Sequence, residues 1–109
     1  FRMRFFEFKQ EYEYYALIAV PSVDGNFDSL SIAIETYAEN IEGSMEDYNE
    51  YYLGCLPSEL TIDEAFEEYR GVGFGDTPKD EISKRFYTML DKIENNGVPA
   101  IILIDSDLI

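Results

Sequence analysis

The sequence has no histidine and one cysteine, Cys55. Without histidine, the chain lacks both the commonest general base and the commonest transition-metal ligand. A single cysteine excludes an internal disulfide and favours a reducing compartment such as the cytoplasm. The longest apolar run, near Val98–Ile104, is far too short to span a bilayer. No basic segment followed by an apolar one opens the chain, so we expect no signal peptide.

Positive charge is also missing from a long part of the chain. Between Gln10 and Tyr69 there are fifteen Asp and Glu residues and no Lys or Arg. The eight basic residues lie outside this stretch, where eight acids balance them, so the stretch carries the whole formal charge of −15. Such a field repels nucleic acid and anionic membranes and attracts basic protein surfaces. The sequence therefore predicts a basic protein partner, with no direct binding to nucleic acid or membrane.

Apolar and aromatic residues are plentiful enough to build a core. Of the 109 residues, 46% are hydrophobic, and nine Tyr and eight Phe are among them. Disordered acidic segments contain few aromatics, and a chain of this length is most economically one domain. We therefore expect a single ordered domain over residues 1–109 with a charged exterior.

The two ends of the chain predict β-structure. Arg2–Lys9 is rich in aromatics and Tyr12–Val20 is an apolar run, so together they predict a hairpin. Both faces of Tyr12–Val20 are apolar beyond Glu13, which is typical of a central strand covered on both sides. Val98–Ile104 predicts a further buried strand.

Two capped helices are predicted to follow the hairpin. Asn26 or Asp28 can cap the first, and Gly43 ends it. Apolar residues repeat along it at the spacing of one buried face: Phe27, Leu30, Ile34, Tyr37 and Ile41. Ser44 opens a second, short helix that closes at Gly54. Its expected inner face consists of Met45, Tyr48 and Tyr52.

Two more helices are predicted before the last strand. Thr61 and Glu64 form a capping box at the start of the third. Thr77 as cap and Pro78 at the first position open the fourth, which runs to about Glu94. The predicted order is ββααααβ. The expected fold is therefore α+β, with a small sheet, made of an N-terminal hairpin and a C-terminal strand, packed against about four helices.

Acidic residues follow the outer faces of the first three helices. From Asp28 to Glu46 they recur at spacings of seven, four, three and four, which on one continuous helix falls on nearly one face. At about 1.5 Å rise per residue the carboxylates stand roughly 5–10 Å apart, similar to phosphates along a nucleic-acid strand. Like charges at such spacing cost helix stability, so a function is expected to offset them, although a merely solvated face is the alternative. The candidate partner-binding residues are Asp28, Glu35, Glu39, Glu42, Glu46, Asp47, Glu50, Tyr51, Asp63, Glu64, Glu67 and Glu68.

Tyrosines accompany these acids and suit a protein-binding surface. Core packing is the interpretation we favour for Tyr48 and Tyr52, which share the inner face of the second helix. Tyr51 is expected to be exposed and available to a partner.

No motif predicts catalysis, a cofactor or a metal site. The glycines at 71, 73 and 75 fit neither a dinucleotide-binding nor a P-loop spacing, and favour a flexible connection. Asp105 and Asp107 form an Asp-x-Asp pair but have almost no chain after them. The acids at 63–68 lack the turn glycine and alternating ligands of a calcium loop. Cys55 has no activating partner. We expect a non-enzymatic protein.

In size, acidity, tyrosine content and its lone cysteine, the chain resembles the DNA-mimic proteins of phages and mobile elements. These include anti-CRISPR and antirestriction proteins. The resemblance is one of composition over the whole chain, without a shared motif, and carries no residue assignments. It implies a bacterial cytoplasm and a target such as a CRISPR effector, a restriction enzyme or another defence nuclease.

The expected mechanism is competitive inhibition. A basic cleft that binds phosphates releases counterions when an anionic surface fills it, so rigid carboxylates can occupy the cleft and exclude nucleic acid. Two alternatives stay open. The chain could be an immunity protein or antitoxin that neutralises a basic toxin, or a small acidic subunit of a larger assembly.

Overall fold

In the computed structural model, which describes residues 3–9, 11–21, 28–72 and 74–105, the strands form one antiparallel sheet. The strands are β1 (Met3–Phe8), β2 (Ala16–Pro21), β3 (Ser58–Leu60) and β4 (Ala100–Ile104). Their order is β3-β1-β2-β4, so the N-terminal hairpin lies in the middle and β4 at one edge. The helices pack on this sheet, which confirms the α+β class predicted from the sequence.

Side chains of the hairpin alternate between two cores. Phe6 and Ile18 contribute to the core on one face of the sheet, and Phe5 and Leu17 to the core on the other. All six residues of β2 are buried. The prediction of a central strand covered on both sides is therefore confirmed.

The first face of the sheet is covered by α1 (Ser29–Tyr37), a π turn (Ala38–Glu42) and α2 (Met45–Tyr52). Asp28 caps α1 as predicted. The alternative cap Asn26 and Phe27, the first residue of the predicted apolar face, lie outside the described part of the chain. Two side chains, one just before the π turn and one within it, bond back to carbonyls one turn earlier. These bonds run from Thr36 Oγ1 to Ile32 O at 2.7 Å and from Asn40 Nδ2 to Thr36 O at 2.8 Å. Such bonds compete with the α-helical pattern.

The opposite face is covered by α3 (Ile62–Arg70) and α4 (Lys79–Asn96). Both hydrogen bonds of the predicted capping box between Thr61 and Glu64 are present. The predicted cap of α4 is wrong, because the Thr77 hydroxyl donates to Phe74 O at 2.6 Å. The helix begins at Lys79, one residue later than predicted. The Pro78 carbonyl accepts hydrogen bonds from the amides of Glu81 and Ile82.

The sheet differs from its prediction at three places. β4 begins at Ala100 and not at Val98, and its residues are partly buried where a buried strand was expected. β2 begins at Ala16 and not at Tyr12, since a loop with Glu11 at φ 69° precedes it. Tyr12 is nevertheless buried, because its ring enters the core from that loop. The short strand β3 was not predicted. It lies where a turn was expected after the second helix and pairs with β1, so the observed order is ββααβααβ.

Candidate functional site

The two helical layers differ sharply in charge. Residues 28–56, which contain α1 and α2 and are called the acidic layer below, hold seven Asp and Glu and no Lys or Arg. Residues 61–97, which contain α3 and α4, hold nine acids and five basic residues. Because the sheet separates the two layers, the layer without any basic residue lies on one side of the molecule.

The structure divides the twelve candidate residues between these layers. Eight lie in the acidic layer: Asp28, Glu35, Glu39, Glu42, Glu46, Asp47, Glu50 and Tyr51. The other four lie on α3, across the sheet: Asp63, Glu64, Glu67 and Glu68. The twelve therefore do not form one continuous surface. Sequence spacing could not show this, because the path of the chain between α2 and α3 decides it.

The acidic residues of the first eight do not follow one continuous helix either. The helical segment that contains Glu35 consists of α1 and the π turn after it. This segment ends at Gly43, whose φ of 101° favours glycine. Ser44 then caps α2 by accepting from the Asp47 amide at 3.1 Å. Glu46 therefore lies on a second helix. The even line of charges expected from Asp28 to Glu46 is divided between two helices and the π turn.

Several candidates have partners within the chain. Asp28 accepts hydrogen bonds from the Ser31 hydroxyl at 2.8 Å and the Leu30 amide at 3.1 Å. The bond from Ser31 lowers the pKa of Asp28 most. On α3, Glu64 accepts from the Thr61 amide at 2.9 Å, and Glu67 pairs with Arg70 at 2.9 Å. These residues have structural roles that leave them less free for a partner.

Five acids of the acidic layer remain fully at the surface. They are Glu35, Glu39, Glu46, Asp47 and Glu50. Within residues 3–9, 11–21, 28–72 and 74–105, none of them forms an ion pair. Tyr51 lies beside them and is 68% exposed. This group is the candidate functional site.

Glu42 differs from these five acids because it is half-buried in the π turn. Its Oε1 is buried and has no hydrogen-bond partner among the residues that the structure describes. The carboxylate lines a recess with Glu11, Glu13, Tyr51 and Tyr52. Burial raises the pKa of Tyr52, and Glu42 adds to this effect. Glu42 thus faces the tyrosine core more than solvent.

The tyrosines beneath the acidic layer are part of the core. Tyr48 and Tyr52 are buried, as favoured from the sequence. The Tyr37 hydroxyl donates to Tyr14 O at 2.8 Å, and its ring stacks on Phe8 with centroids 4.4 Å apart. Burial raises the pKa of Tyr37 and of Tyr48, because a phenolate is poorly solvated there. These rings give the acidic layer a rigid support.

An apolar group at the end of α2 was missed by the sequence analysis. Leu53 is 82% exposed and Leu56 is 66% exposed. Met45 was predicted to face inward, yet it is 36% exposed, because Tyr48 and Tyr52 already fill the core beneath α2. The available signal was two leucines three residues apart in a loop next to a glycine.

The described residues offer little for catalysis. Among them, no group of three or more acids or cysteines is placed to hold a metal ion. A hydrogen bond with Glu11 contributes most to raising the pKa of the Cys55 thiol, so the thiol stays protonated. Of the Asp-x-Asp pair, Asp105 donates its amide to Tyr15 O at 2.9 Å, and Asp107 lies outside the described residues.

No helix within the described ranges is both long and apolar enough to cross a membrane. No curated protein and no solved structure shows a significant match to the chain. A family model described as the YosH C-terminal domain matches residues 3–98. Since this match covers most of the 109 residues, the chain belongs to the YosH C-terminal domain family.

Proposed function

We propose that this chain is a non-enzymatic binding protein whose acidic layer occupies a basic surface of a nucleic-acid-handling protein and excludes nucleic acid from it. One observation carries the proposal. The acidic layer holds seven Asp and Glu with no Lys or Arg, on one side of the sheet. A surface of one sign attracts the opposite sign and accelerates encounter with it.

The arrangement of the exposed acids supports a role in binding. Glu35 and Glu39 stand one turn apart on one helical segment, and Glu46 and Glu50 stand one turn apart on α2. Like charges at this spacing destabilise a helix by about 0.2–0.5 kcal/mol per pair. A basic partner would relieve this repulsion and would release the counterions held at its own cleft. The rigid tyrosine core below means that little ordering of the layer is needed on binding.

Capture of the partner and competition with DNA test the proposal. The chain is immobilised at low salt and exposed to lysate from bacteria that carry defence systems. The retained protein is then purified, and its binding to a fluorescein-labelled DNA duplex is followed by anisotropy. We expect the chain to displace the duplex, and less efficiently as salt is raised.

Two matched variants identify the surface that is used. Glu35→Lys/Glu39→Lys reverses two exposed charges in the acidic layer, and Asp91→Lys/Glu94→Lys reverses two exposed charges on α4. Glu42 is left unchanged because it is half-buried. We expect the first pair to weaken DNA displacement about tenfold or more, which is roughly 1.4 kcal/mol or more, and the second to have much less effect.

Three results would contradict the proposal. The first is that no basic protein is retained at low salt. The second is that the captured protein still binds DNA at saturation. The third is equal weakening by both pairs, which would mean that net charge acts without a defined surface. Unchanged circular dichroism of both variants is the control for folding.

A further inference from the structure

A groove runs between α1 and the loop that follows α2. It encloses about 300 Å³. Its apolar lining comes from Ile34 on α1, Met45 on α2, and Leu53 and Leu56 in the loop. We call the groove defined by these four residues the apolar groove.

The two leucines of the apolar groove leave most of their surface uncovered, at 82% exposure for Leu53 and 66% for Leu56. Leu53 and Leu56 both line this groove, and the loop that carries them contains Gly54, whose φ is 89°. Full burial of one such side chain is worth about 1.5–3 kcal/mol. A cluster of exposed apolar side chains with polar residues around it is typical of a site for another protein.

Exposed acids lie close in sequence to residues that line this groove on α1 and on α2. On α1, Glu35 follows the groove residue Ile34 and is exposed. On α2, Glu46 and Glu50 flank Asn49, which also lines the groove, and both are exposed. The whole acidic layer contains no Lys or Arg. The groove thus has a largely apolar lining and lies in a layer whose charged residues are all acidic.

We propose that the apolar groove binds an amphipathic basic segment of the partner protein. Leucine-like side chains enter between Met45 and the two loop leucines, and Lys or Arg side chains of the same segment face Glu35, Glu46 and Glu50. This inference rests on the proposed function and specifies it. The partner supplies apolar anchors as well as positive charge, as in the buried centre and polar rim of protein interfaces.

Charge argues against other occupants. A second copy would bring its own seven acids against the same acidic layer, where like charges repel. Anionic lipid is disfavoured for the same reason. A basic amphipathic segment complements both the apolar lining and the acidic layer.

Short fluorescein-labelled peptides test the groove directly. One peptide places Leu and Lys at the spacing of an amphipathic helix, the second has the same composition in scrambled order, and the third is oligolysine. Anisotropy is measured at about 0.15 M salt, where distant surface charges are screened. We expect the amphipathic peptide to bind about tenfold tighter or more than either control.

Leucine variants locate the binding. Leu53→Ser/Leu56→Ser removes two groove side chains, and Val72→Ser/Val98→Ser removes two exposed apolar side chains elsewhere. We expect the first pair to weaken the amphipathic peptide about tenfold and the second to leave its affinity unchanged. Equal affinity of the amphipathic and scrambled peptides, no binding of either, or equal effects of both pairs would overturn the proposal.

Cys55 lines the groove and serves as a reporter. Modification of this thiol by N-ethylmaleimide should slow several-fold in the presence of the amphipathic peptide and not with oligolysine. An unchanged rate with the bound peptide would place the peptide elsewhere and overturn the proposal. A dimer in sedimentation that Leu53→Ser/Leu56→Ser abolishes would assign the groove to a second copy instead.

The peptide assay and the DNA assay fail independently. The amphipathic peptide could bind through the leucines while no captured protein is displaced from DNA. In that case the groove proposal stands and the proposed exclusion of nucleic acid is wrong. If the Leu53→Ser/Leu56→Ser variant still displaces DNA fully from the captured protein, the proposed exclusion of nucleic acid stands and the groove proposal is wrong.

Discussion

The hydroxyl oxygens of Tyr12 and Tyr48 lie 2.6 Å apart in the core beneath the acidic layer. The Tyr48 hydroxyl also donates to Cys55 O at 3.4 Å, so the proton between the two tyrosines belongs to Tyr12. A second link joins the same loop to α2, since the Glu13 amide donates to the Tyr52 hydroxyl at 3.1 Å. The loop before β2 therefore helps to hold the acidic layer on the sheet.

Removal of the hydroxyls should show that they act as a pair. Tyr48→Phe leaves the Tyr12 hydroxyl buried without an acceptor, so we expect it to lower the free energy of unfolding by about 1–2 kcal/mol. Tyr12→Phe should cost less, because the Tyr48 hydroxyl keeps its bond to Cys55 O. The double variant should cost no more than Tyr48→Phe alone, because it also removes the Tyr12 hydroxyl that Tyr48→Phe leaves without an acceptor. Urea unfolding of the four proteins measures this coupling, and strictly additive losses would contradict it.

Alkaline pH should unfold the protein through its buried phenols. Burial is the largest cause of a raised pKa at Tyr12, Tyr15, Tyr37, Tyr48 and Tyr52. The unfolded chain loses these protons near pH 10, whereas the folded chain still holds them. The contribution of these tyrosines to the free energy of unfolding is therefore fully present below about pH 10, and it falls as the pH rises above that value.

Absorbance of phenolate at alkaline pH, recorded with circular dichroism, checks this expectation. The part of the absorbance that belongs to the buried tyrosines should rise together with the loss of ellipticity. A Tyr48→Phe control should unfold at lower pH because it is less stable. Full ionisation of all nine tyrosines in a folded protein would contradict the burial of these rings.

Local signals in the sequence predicted most of the helices. The capping box of Thr61 and Glu64 and the helix-ending glycine Gly43, at φ 101°, depend on residues within one turn, and both are confirmed. The strand β3 was missed because three residues carry no usable alternation. Its place depends on pairing with β1, which is distant along the chain: Arg4 of that strand lies 55 residues before its partner Glu59.

The candidate site was predictable only in part. Helical spacing indicated that Glu35 and Glu39 face outward, and both are exposed. Spacing could not assign Glu68 to the opposite layer, because that depends on how β3 returns the chain across the sheet. Nor could it show that Leu53 stays exposed, since that depends on the tyrosines that fill the core first.

The ion pair between β1 and β3 should contribute modestly and only above acid pH. Arg4 Nε and Nη2 donate to the two Glu59 carboxylate oxygens at 2.9 and 2.6 Å. Both side chains are 45% exposed, so after solvent screening we expect Glu59→Gln to cost less than about 1 kcal/mol. The bond to Arg4 lowers the pKa of Glu59. The stabilisation is therefore present above the ordinary glutamate pKa and lost as the pH falls through the lowered value.

Urea unfolding at neutral and acid pH measures this difference. Wild type and Glu59→Gln should differ near pH 7 and converge once the pH falls below the lowered pKa of Glu59. A Glu50→Gln variant is the control, since its carboxylate is exposed and forms no ion pair within the described ranges. A difference that persisted at acid pH would contradict the ion pair as its cause.

Salt should stabilise the free protein by screening the acidic layer. We expect the melting temperature to rise between low salt and about 0.15 M NaCl, because the Debye length shortens to about 8 Å. Glu35→Gln/Glu39→Gln should raise the melting temperature at low salt and reduce its dependence on NaCl. Asp91→Asn/Glu94→Gln, on the layer that contains basic residues, is the matched control and should raise the melting temperature less. Equal effects of the two pairs would contradict a concentration of repulsion in the acidic layer.

Glu42 should be a residue whose charge lowers the stability of the fold. Its Oε1 is buried with no hydrogen-bond partner in the described part of the chain, so this oxygen loses hydration without replacement even though the carboxylate also interacts with Tyr52. We expect Glu42→Gln to raise the free energy of unfolding by about 0.5–1 kcal/mol. The pKa of Tyr37 and of Tyr52 should fall in the variant, because the negative charge that adds to the effect of burial is gone. Glu39→Gln, at an exposed position of the same π turn, should change stability less; a loss of stability in Glu42→Gln would contradict the assignment of Glu42 as an uncompensated charge.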